Sequence, residues 1–322
     1  MVEPPALRDV LAAARRLHGV ARHTPLLSDP LLDRRLGGRL LVKPEVLQLT
    51  GSFKFRGAYN ALATLRPPRV VAWSSGNHAQ GVALAASLLG IPATIVMPAT
   101  APEIKRRTTE ALGAEVVLYD PARERREEVG AEIARRTGAV IVRPYDEPLV
   151  IAGQGTVGLE IVRDLLARST LPDLVLVPCG GGGLTAGIGL VLRALVPHGE
   201  LWTVEPEGFD DTRRSLEAGV RLRNEPGRTS ICDALLAPEP GELTFALNRT
   251  QVTGGLAVSD AEVEEAMRTA FDRLKLVVEP GGAVALAAVL AGKLDVAGRT
   301  VVVVLSGGNV DRTLAARVLA AG

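Results

Sequence analysis

The pattern that most restricts this chain is the repetition of one unit: a short β-branched run, a glycine- or serine-rich turn, then ten to fifteen residues of alanine-rich helical spacing. Strands linked through helices pair in parallel, because a hairpin turn cannot return the chain to the same edge. Such strands are covered on both faces and read as continuous apolar runs. Strands are expected over 70–73, 93–97, 115–118, 140–142, 174–177, 201–204 and 300–305. Helices are expected over 76–89, 103–112, 123–136, 153–167, 183–195, 260–274, 281–291 and 311–320, with an amphipathic surface helix near the N-terminus. The fold class is therefore α/β with parallel sheets.

A chain of 322 residues with 47% hydrophobic content has enough apolar side chain for two α/β lobes or one large domain. Thirty-seven basic residues against 36 acidic ones leave no field to attract nucleic acid or an anionic membrane, so the expected partner is a small molecule. Cys179 and Cys232 have neither metal spacing nor a disulfide framework and read as reduced, buried thiols. The N-terminus lacks the order of a signal peptide, and no window holds 18 uninterrupted apolar residues. A cytoplasmic protein with no membrane contact is expected.

The mixed-sign run Arg123-Glu124-Arg125-Arg126-Glu127-Glu128 is expected inside a helix, as a solvated face. Residues 221–242, rich in proline, glycine and charge, are expected to form a long ordered loop beside a site.

Three turns, each after a strand and before a helix, carry the chemistry. Ser74-Ser75-Gly76-Asn77-His78 offers hydroxyls, an amide and free N–H groups suited to a carboxylate, and equally reads as an ordinary helix cap. Gly180, Gly181, Gly182 and Gly183, followed by Leu184, let the backbone wrap an anion at a helix start and point to phosphate. This turn lacks the Lys-Ser/Thr of a P-loop and the spaced glycines of a dinucleotide fingerprint. Ser306-Gly307-Gly308-Asn309 ends a buried strand and gains meaning from the other two. Lys54, between Phe53 and Phe55, is placed to be partly desolvated, which lowers an ammonium pKa toward the neutral amine that imine chemistry needs.

The motifs SFKFRGA, SSGNHAQG, PCGGGGL and LSGGN, in that order, resemble those of the fold-type II pyridoxal-phosphate enzymes, in particular the threonine/serine dehydratase and serine racemase group. Thr24-Pro25-Leu26, Lys43-Pro44-Glu45 and Glu279-Pro280-Gly281-Gly282-Ala283 extend the resemblance over nearly the whole chain. It implies two doubly wound parallel-sheet domains of the tryptophan synthase beta type: a small one over 69–147, inserted into a large one made of 1–68 and 148–322. It implies pyridoxal 5′-phosphate held as a Schiff base by Lys54, with Phe53 beside the ring and Asn77 at its phenolic oxygen. Gly180, Gly181, Gly182, Gly183 and Leu184 would hold the phosphate, and Ser306 would face the ring nitrogen. Ser74, Ser75, Asn77 and His78 would grip the substrate carboxylate, with Ser75 as acid/base on the face opposite Lys54.

The resemblance further implies Mg²⁺ or another divalent cation held by Glu205, Asp211 and the carbonyl of Phe209, although Asp210 and Asp211 also suit a helix start. Cys232 reads as a packing residue, since no base adjoins it. The expected activity is an L-threonine/L-serine dehydratase, homodimeric as is usual in the family, without an appended regulatory domain. A 3-hydroxyaspartate dehydratase, a racemase and a catalytically silent homologue remain open. A β-carboxylated substrate would need a further cation, from His78 or from an arginine at 221–228.

Overall fold

The computed structural model describes residues 3–321. Its strands are β1 (Arg39–Pro44), β2 (Val70–Trp73), β3 (Ala93–Pro98), β4 (Glu115–Tyr119), β5 (Val140–Ile141), β6 (Leu174–Pro178), β7 (Glu200–Pro206), β8 (Gly254–Val258) and β9 (Thr300–Leu305). They form two sheets, of order β1-β9-β6-β7-β8 and β4-β3-β2-β5. All the strand pairs are parallel.

Alternation along β9 explains its unbroken apolar run. Val301, Val303 and Leu305 pack with Val42, Leu174, Val204 and the helix Pro280–Leu290. Val302 and Val304 face the other way, onto Leu41, Val175 and the helices Pro148–Leu166 and Gly183–Leu195. In the smaller sheet, Val70, Ala72, Ile95 and Met97 turn toward the helices Lys54–Leu65 and Asn77–Leu89. Val71 and Val96 turn to Ile133 on the opposite side.

The seven expected strands form, with two more that periodicity did not reveal. β8 opens with two glycines, and a Cβ at Gly254 would lie 2.5 Å from the Trp202 ring, so the residue that makes room for β7 also hides the strand. β1 ends in Lys43 and Pro44, which read as a polar motif. The charge run needs a correction. The helix begins at Arg126, because residues 120–124 close a turn in which the Asp120 carbonyl accepts from the N–H groups of Arg123 and Glu124. Its charged side chains are solvated, with Arg126 paired to Glu127 at 2.8 Å. Residues 221–241 are irregular apart from the short turn Asp233–Leu235, and Glu242 opens the helix Glu242–Gln251.

Behind the helix Lys54–Leu65 lies a buried ionic cluster. Arg56, 1% exposed, donates through Nε and Nη2 to the Glu45 carboxylate at 2.7 and 2.8 Å, and through Nη1 and Nη2 to Glu160 at 2.7 and 2.9 Å. Lys43, with no exposed surface, donates to Glu160 at 2.6 Å and to the Thr24 carbonyl at 2.5 Å. The Thr24 hydroxyl completes the shell by donating to Glu45 at 2.7 Å. Two cations thus meet two carboxylates, and the guanidinium is bonded on every edge, the condition under which buried charge is tolerated. Replacing Arg56 by Met strips Glu45 of its counter-ion. The variant is expected to lose about 3–5 kcal/mol in chemical denaturation; a loss below about 1 kcal/mol would mean that the cluster does not anchor the fold.

Candidate active site

Strand order alone brings the motif-bearing segments together. β1, β9 and β6 are neighbours in one parallel sheet, so the chain leaving β1 toward Lys54, the turn at Ser306 and the glycine turn all emerge at the same edge. In the other sheet β2 and β5 are neighbours, which sets Ser74 to His78 beside residues 142–145.

Lys54 opens its helix, and its Nζ donates to the Pro144 carbonyl at 2.7 Å, across from one sheet to the other. Nζ lies 5.0 Å from the centre of the Phe53 ring. Phe55 points away, buried in the core beside Tyr59, so one aromatic residue borders the amine where the sequence placed two. Burial pushes the Lys54 pKa down to about 8, against the opposing pull of Glu279. Of the five lysines, Lys43, Lys105 and Lys293 are each paired with a carboxylate, and Lys275 is exposed on the surface. Lys54 is the partly buried one bonded to a neutral carbonyl.

Asn77 heads the helix Asn77–Leu89 and ties the sheets together. Its Nδ2 donates to Glu279 Oε1 at 2.6 Å, and its Oδ1 accepts from Asn309 Nδ2 at 2.7 Å. Burial raises the Glu279 carboxyl to about 7, with Asn77 opposing and Asp233 adding to the rise. In the sequence Glu279 belongs to a motif that gives it no role of its own. Ser74 Oγ accepts from the Gly76 N–H at 3.1 Å and closes the turn. Among the described residues the Ser75 hydroxyl and the N–H groups of Ser75, Asn77 and His78 have no partner, which leaves a helix start open to an anion.

His78 is 3% exposed and its Nε2 donates to the Val142 carbonyl at 2.9 Å. Nδ1 is buried without a partner. Burial, reinforced by the Lys54 charge, pushes its pKa down to about 3. The ring is neutral, which removes His78 as the further cation that a second substrate carboxylate would need. The arginines of the 221–228 loop are engaged as well: Arg221 with the Pro240 carbonyl, Arg223 with Glu239 and Arg228 with Glu225.

In the glycine turn, among the described residues, no N–H from Gly180, Gly181, Gly182, Gly183 or Leu184 finds a protein acceptor. Side chains are excluded from the turn by contact. A Cβ at Gly181 would fall 2.3 Å from the Tyr145 ring, and Gly182, at φ +86°, has Asn248 Nδ2 2.8 Å from its Cβ position. The Thr185 hydroxyl at the same helix start is buried and unpartnered. Ser306 is 5% exposed, its carbonyl accepts from the Phe53 N–H at 3.1 Å, and its hydroxyl has no partner among the described residues. Five free N–H groups, an orphaned hydroxyl and a desolvated amine suit a phosphorylated aldehyde. Tyr145, Thr244 and Asn248, which contact this turn, had no sequence signal of their own.

The family described as "Pyridoxal-phosphate dependent enzyme" matches residues 18–307. The chain belongs to that family. This pyridoxal-phosphate-dependent enzyme is 45% identical over 307 residues to an L-threo-3-hydroxyaspartate ammonia-lyase from Pseudomonas sp, covering 94% of this chain and 95% of the other. It is 43% identical over 322 residues to an L-threonine ammonia-lyase from Thermotoga maritima, covering 98% and 78%. Its fold matches that of a T.th. threonine deaminase with a TM-score of 0.91 at 47% identity, over 95% of this chain and 99% of that one. The two parallel sheets are those of fold type II.

The carboxylates expected to bind a cation also adjoin in this enzyme. Glu205, fully buried, accepts from the N–H groups of Thr212 and Arg213 at 2.9 and 2.8 Å. Asp211 Oδ1 accepts from Asn224 Nδ2 at 2.6 Å, while Oδ2 is buried without a partner. Burial raises Asp211 to about 7, and burial with the Asp211 charge raises Glu205 well above the usual carboxylate range. The Phe209 carbonyl accepts no hydrogen bond among the described residues. Oxygen donors, one of them orphaned, fit a hard cation. Cys179 and Cys232 are free and buried, and burial raises the Cys232 thiol to about 12.

His78 makes stability depend on pH in a known direction. Its folded pKa lies below the ordinary value, so the unfolded chain binds a proton that the folded chain refuses. The stability it preserves is whole above about pH 6.5 and is lost as pH falls toward 3, at about 1.4 kcal/mol per unit. The variant His78→Gln is expected to flatten the difference in unfolding free energy between pH 7 and pH 5 by about 2 kcal/mol. An unchanged slope would contradict a buried neutral ring.

Proposed function

We propose that this enzyme is an ammonia-lyase that converts a 3-hydroxy amino acid, L-threonine or L-serine, to a 2-oxo acid and ammonia. The observation that carries this reading is the Lys54 amine, held near a pKa of about 8 between an anion-binding helix start and the glycine turn. Lys54, Phe53, Asn77, the N–H groups of residues 180–184 and Ser306 would hold pyridoxal phosphate. When bound, that group supplies a sink for the electron pair left as the α C–H bond breaks.

The chain's own residues do the rest. The N–H groups of Ser75, Asn77 and His78 and the Ser75 hydroxyl bind the substrate carboxylate, and Ser74 holds their turn closed. Lys54 gives up the Pro144 carbonyl, and its neutral fraction takes the α-proton. The Ser75 hydroxyl is the second group able to pass a proton. Ser306 has no charge with which to keep a ring nitrogen protonated, which favours loss of a β-hydroxyl over amino transfer. Water is lost at the β-carbon and regained when the amino group leaves as ammonia, so the net change is loss of ammonia: the α-carbon takes an oxo oxygen and the β-carbon carries hydrogen in place of its hydroxyl.

Threonine and serine are favoured over 3-hydroxyaspartate because His78 is neutral and Arg221, Arg223 and Arg228 are already engaged. Glu205, Asp211 and the Phe209 carbonyl would take Mg²⁺ or a similar cation, a reading supported by the orphaned Asp211 oxygen. Residues 69–147 would form the small domain, since every strand of the smaller sheet lies within 70–141. Among the described residues no helix is long and apolar enough to cross a membrane. A cytoplasmic homodimer completes the proposal, in keeping with two unpaired thiols.

One assay set tests this reading: 2-oxo acid and ammonia release from L-threonine, L-serine, D-serine and the 3-hydroxyaspartate stereoisomers, each with chelator and with Mg²⁺ restored. L-threonine and L-serine are expected to exceed 3-hydroxyaspartate in kcat/KM by about tenfold or more. The chelated enzyme is expected to lose both rate and thermal stability until Mg²⁺ returns. Preference for 3-hydroxyaspartate would overturn the substrate, and indifference to chelator would remove the cation.

A further inference from the structure

The glycine turn exposes its N–H groups on one side because its carbonyls are held on the other. Thr244 Oγ1 donates to the Gly181 carbonyl at 2.7 Å, and the Gly182 carbonyl, which accepts from the Ala186 N–H at 2.9 Å, also accepts from Asn248 Nδ2 at 3.3 Å. In a trans peptide the C=O and the next N–H point in opposite directions. Fixing these two carbonyls toward the helix Glu242–Gln251 therefore fixes the N–H groups of Gly182 and Gly183 away from it.

A run of four glycines is free to rotate its peptide planes, since no Cβ penalises the alternative φ and ψ. A flipped plane would turn a carbonyl oxygen, with its partial negative charge, toward any anion in the turn. Packing does not prevent this at every step, because the Tyr145 ring braces the Cβ side of Gly181, and the Tyr145 Cβ and backbone that of Gly183, which leaves the carbonyls to their hydrogen bonds.

Thr244 is itself held in place. The helix that carries it has a glycine at its N-cap, with no side chain to cap its first N–H groups. Asp146 does so from a distant part of the chain, as Oδ1 accepts from the N–H groups of Leu243 at 2.8 Å and Thr244 at 3.1 Å. Gly241 makes room for it, since a Cβ there would lie 2.4 Å from the same oxygen. Asp146 follows Pro144, whose carbonyl accepts from Lys54, by two residues. One short segment thus reaches both the amine and the clamp on the turn.

We propose that Thr244 and Asn248 are positioning residues that lock the glycine turn in its anion-binding sense, with Asp146 anchoring Thr244. The inference rests on residues 180–184 being the phosphate site, and it predicts an effect on phosphate that spares the rest of the cofactor.

Binding of pyridoxal phosphate and of pyridoxal, which lacks the phosphate, is measured by absorbance for the wild type and for Thr244→Val, Thr244→Ser and Asn248→Ala. Valine keeps the shape of threonine and removes the donor. Thr244→Val and Asn248→Ala are expected to weaken pyridoxal phosphate about tenfold while pyridoxal stays within about twofold, and Thr244→Ser keeps the wild-type preference. The thermal midpoint of the cofactor-free protein serves as the control for folding. Equal weakening of both ligands, or no change in either for both valine and alanine variants, would overturn the clamp and leave the phosphate site standing. A wild type that binds both ligands equally would overturn the phosphate site itself, and the clamp with it.

Discussion

A guanidinium enclosed between two carboxylates is the fixed point from which the site is built. Arg56 sits two residues after Lys54, and its bonds to Glu45 and Glu160 pin the first turn of the helix that presents the lysine. Lys43 and Thr24 close the same cluster, so segments scattered over the first 56 residues and the helix Pro148–Leu166 meet behind the amine. Desolvating four charges is tolerated only with every partner present. A register slip of the helix by one residue would part Arg56 from both carboxylates and leave Glu45 without a counter-ion, which is why the ionic cluster specifies one position for Lys54 as well as adding contacts.

On the other side of that helix the amine faces a boundary between sheets. Gly81 lets the helix Asn77–Leu89 approach the Lys54 backbone, with its Cβ position 3.1 Å from the Lys54 carbonyl carbon. Asn77 bonds to Glu279 and Asn309 across the same boundary, and Lys105 meets Asp233 at 3.1 Å. These contacts are polar, while the helix Lys54–Leu65 itself packs through apolar side chains onto the helix Asn77–Leu89. The burial that depresses Lys54 and raises Glu279 comes from this closure. The chemistry of the amine and the contact between the sheets are therefore one property.

The fold class and the three turns were legible because each depends on local order: β-branched runs, glycines and helical spacing. β8 escaped because its glycines serve the neighbouring Trp202, a contact 52 residues away that periodicity cannot register. Arg123, Glu124 and Arg125 were expected within a helix because charge alternation alone does not reveal where Asp120 closes a turn. Lys54 stood out through its neighbours, yet Phe55 faces the core, and the desolvation comes from Phe53, from the packed helices and from residues 142–145. Thr244, Asn248 and Asp146 were invisible as site residues. Each acts through hydrogen bonds to a segment far away in sequence, and a lone polar residue carries no such information.

The central claim is that Lys54 is the residue that bonds pyridoxal phosphate. The direct measurement is borohydride reduction of the loaded protein, followed by proteolysis and mass mapping of the pyridoxyl group over the five lysines. The account predicts one modified peptide, containing Lys54. A label on Lys43, Lys105, Lys275 or Lys293 instead, or none at all in protein that has taken up the cofactor, would contradict it.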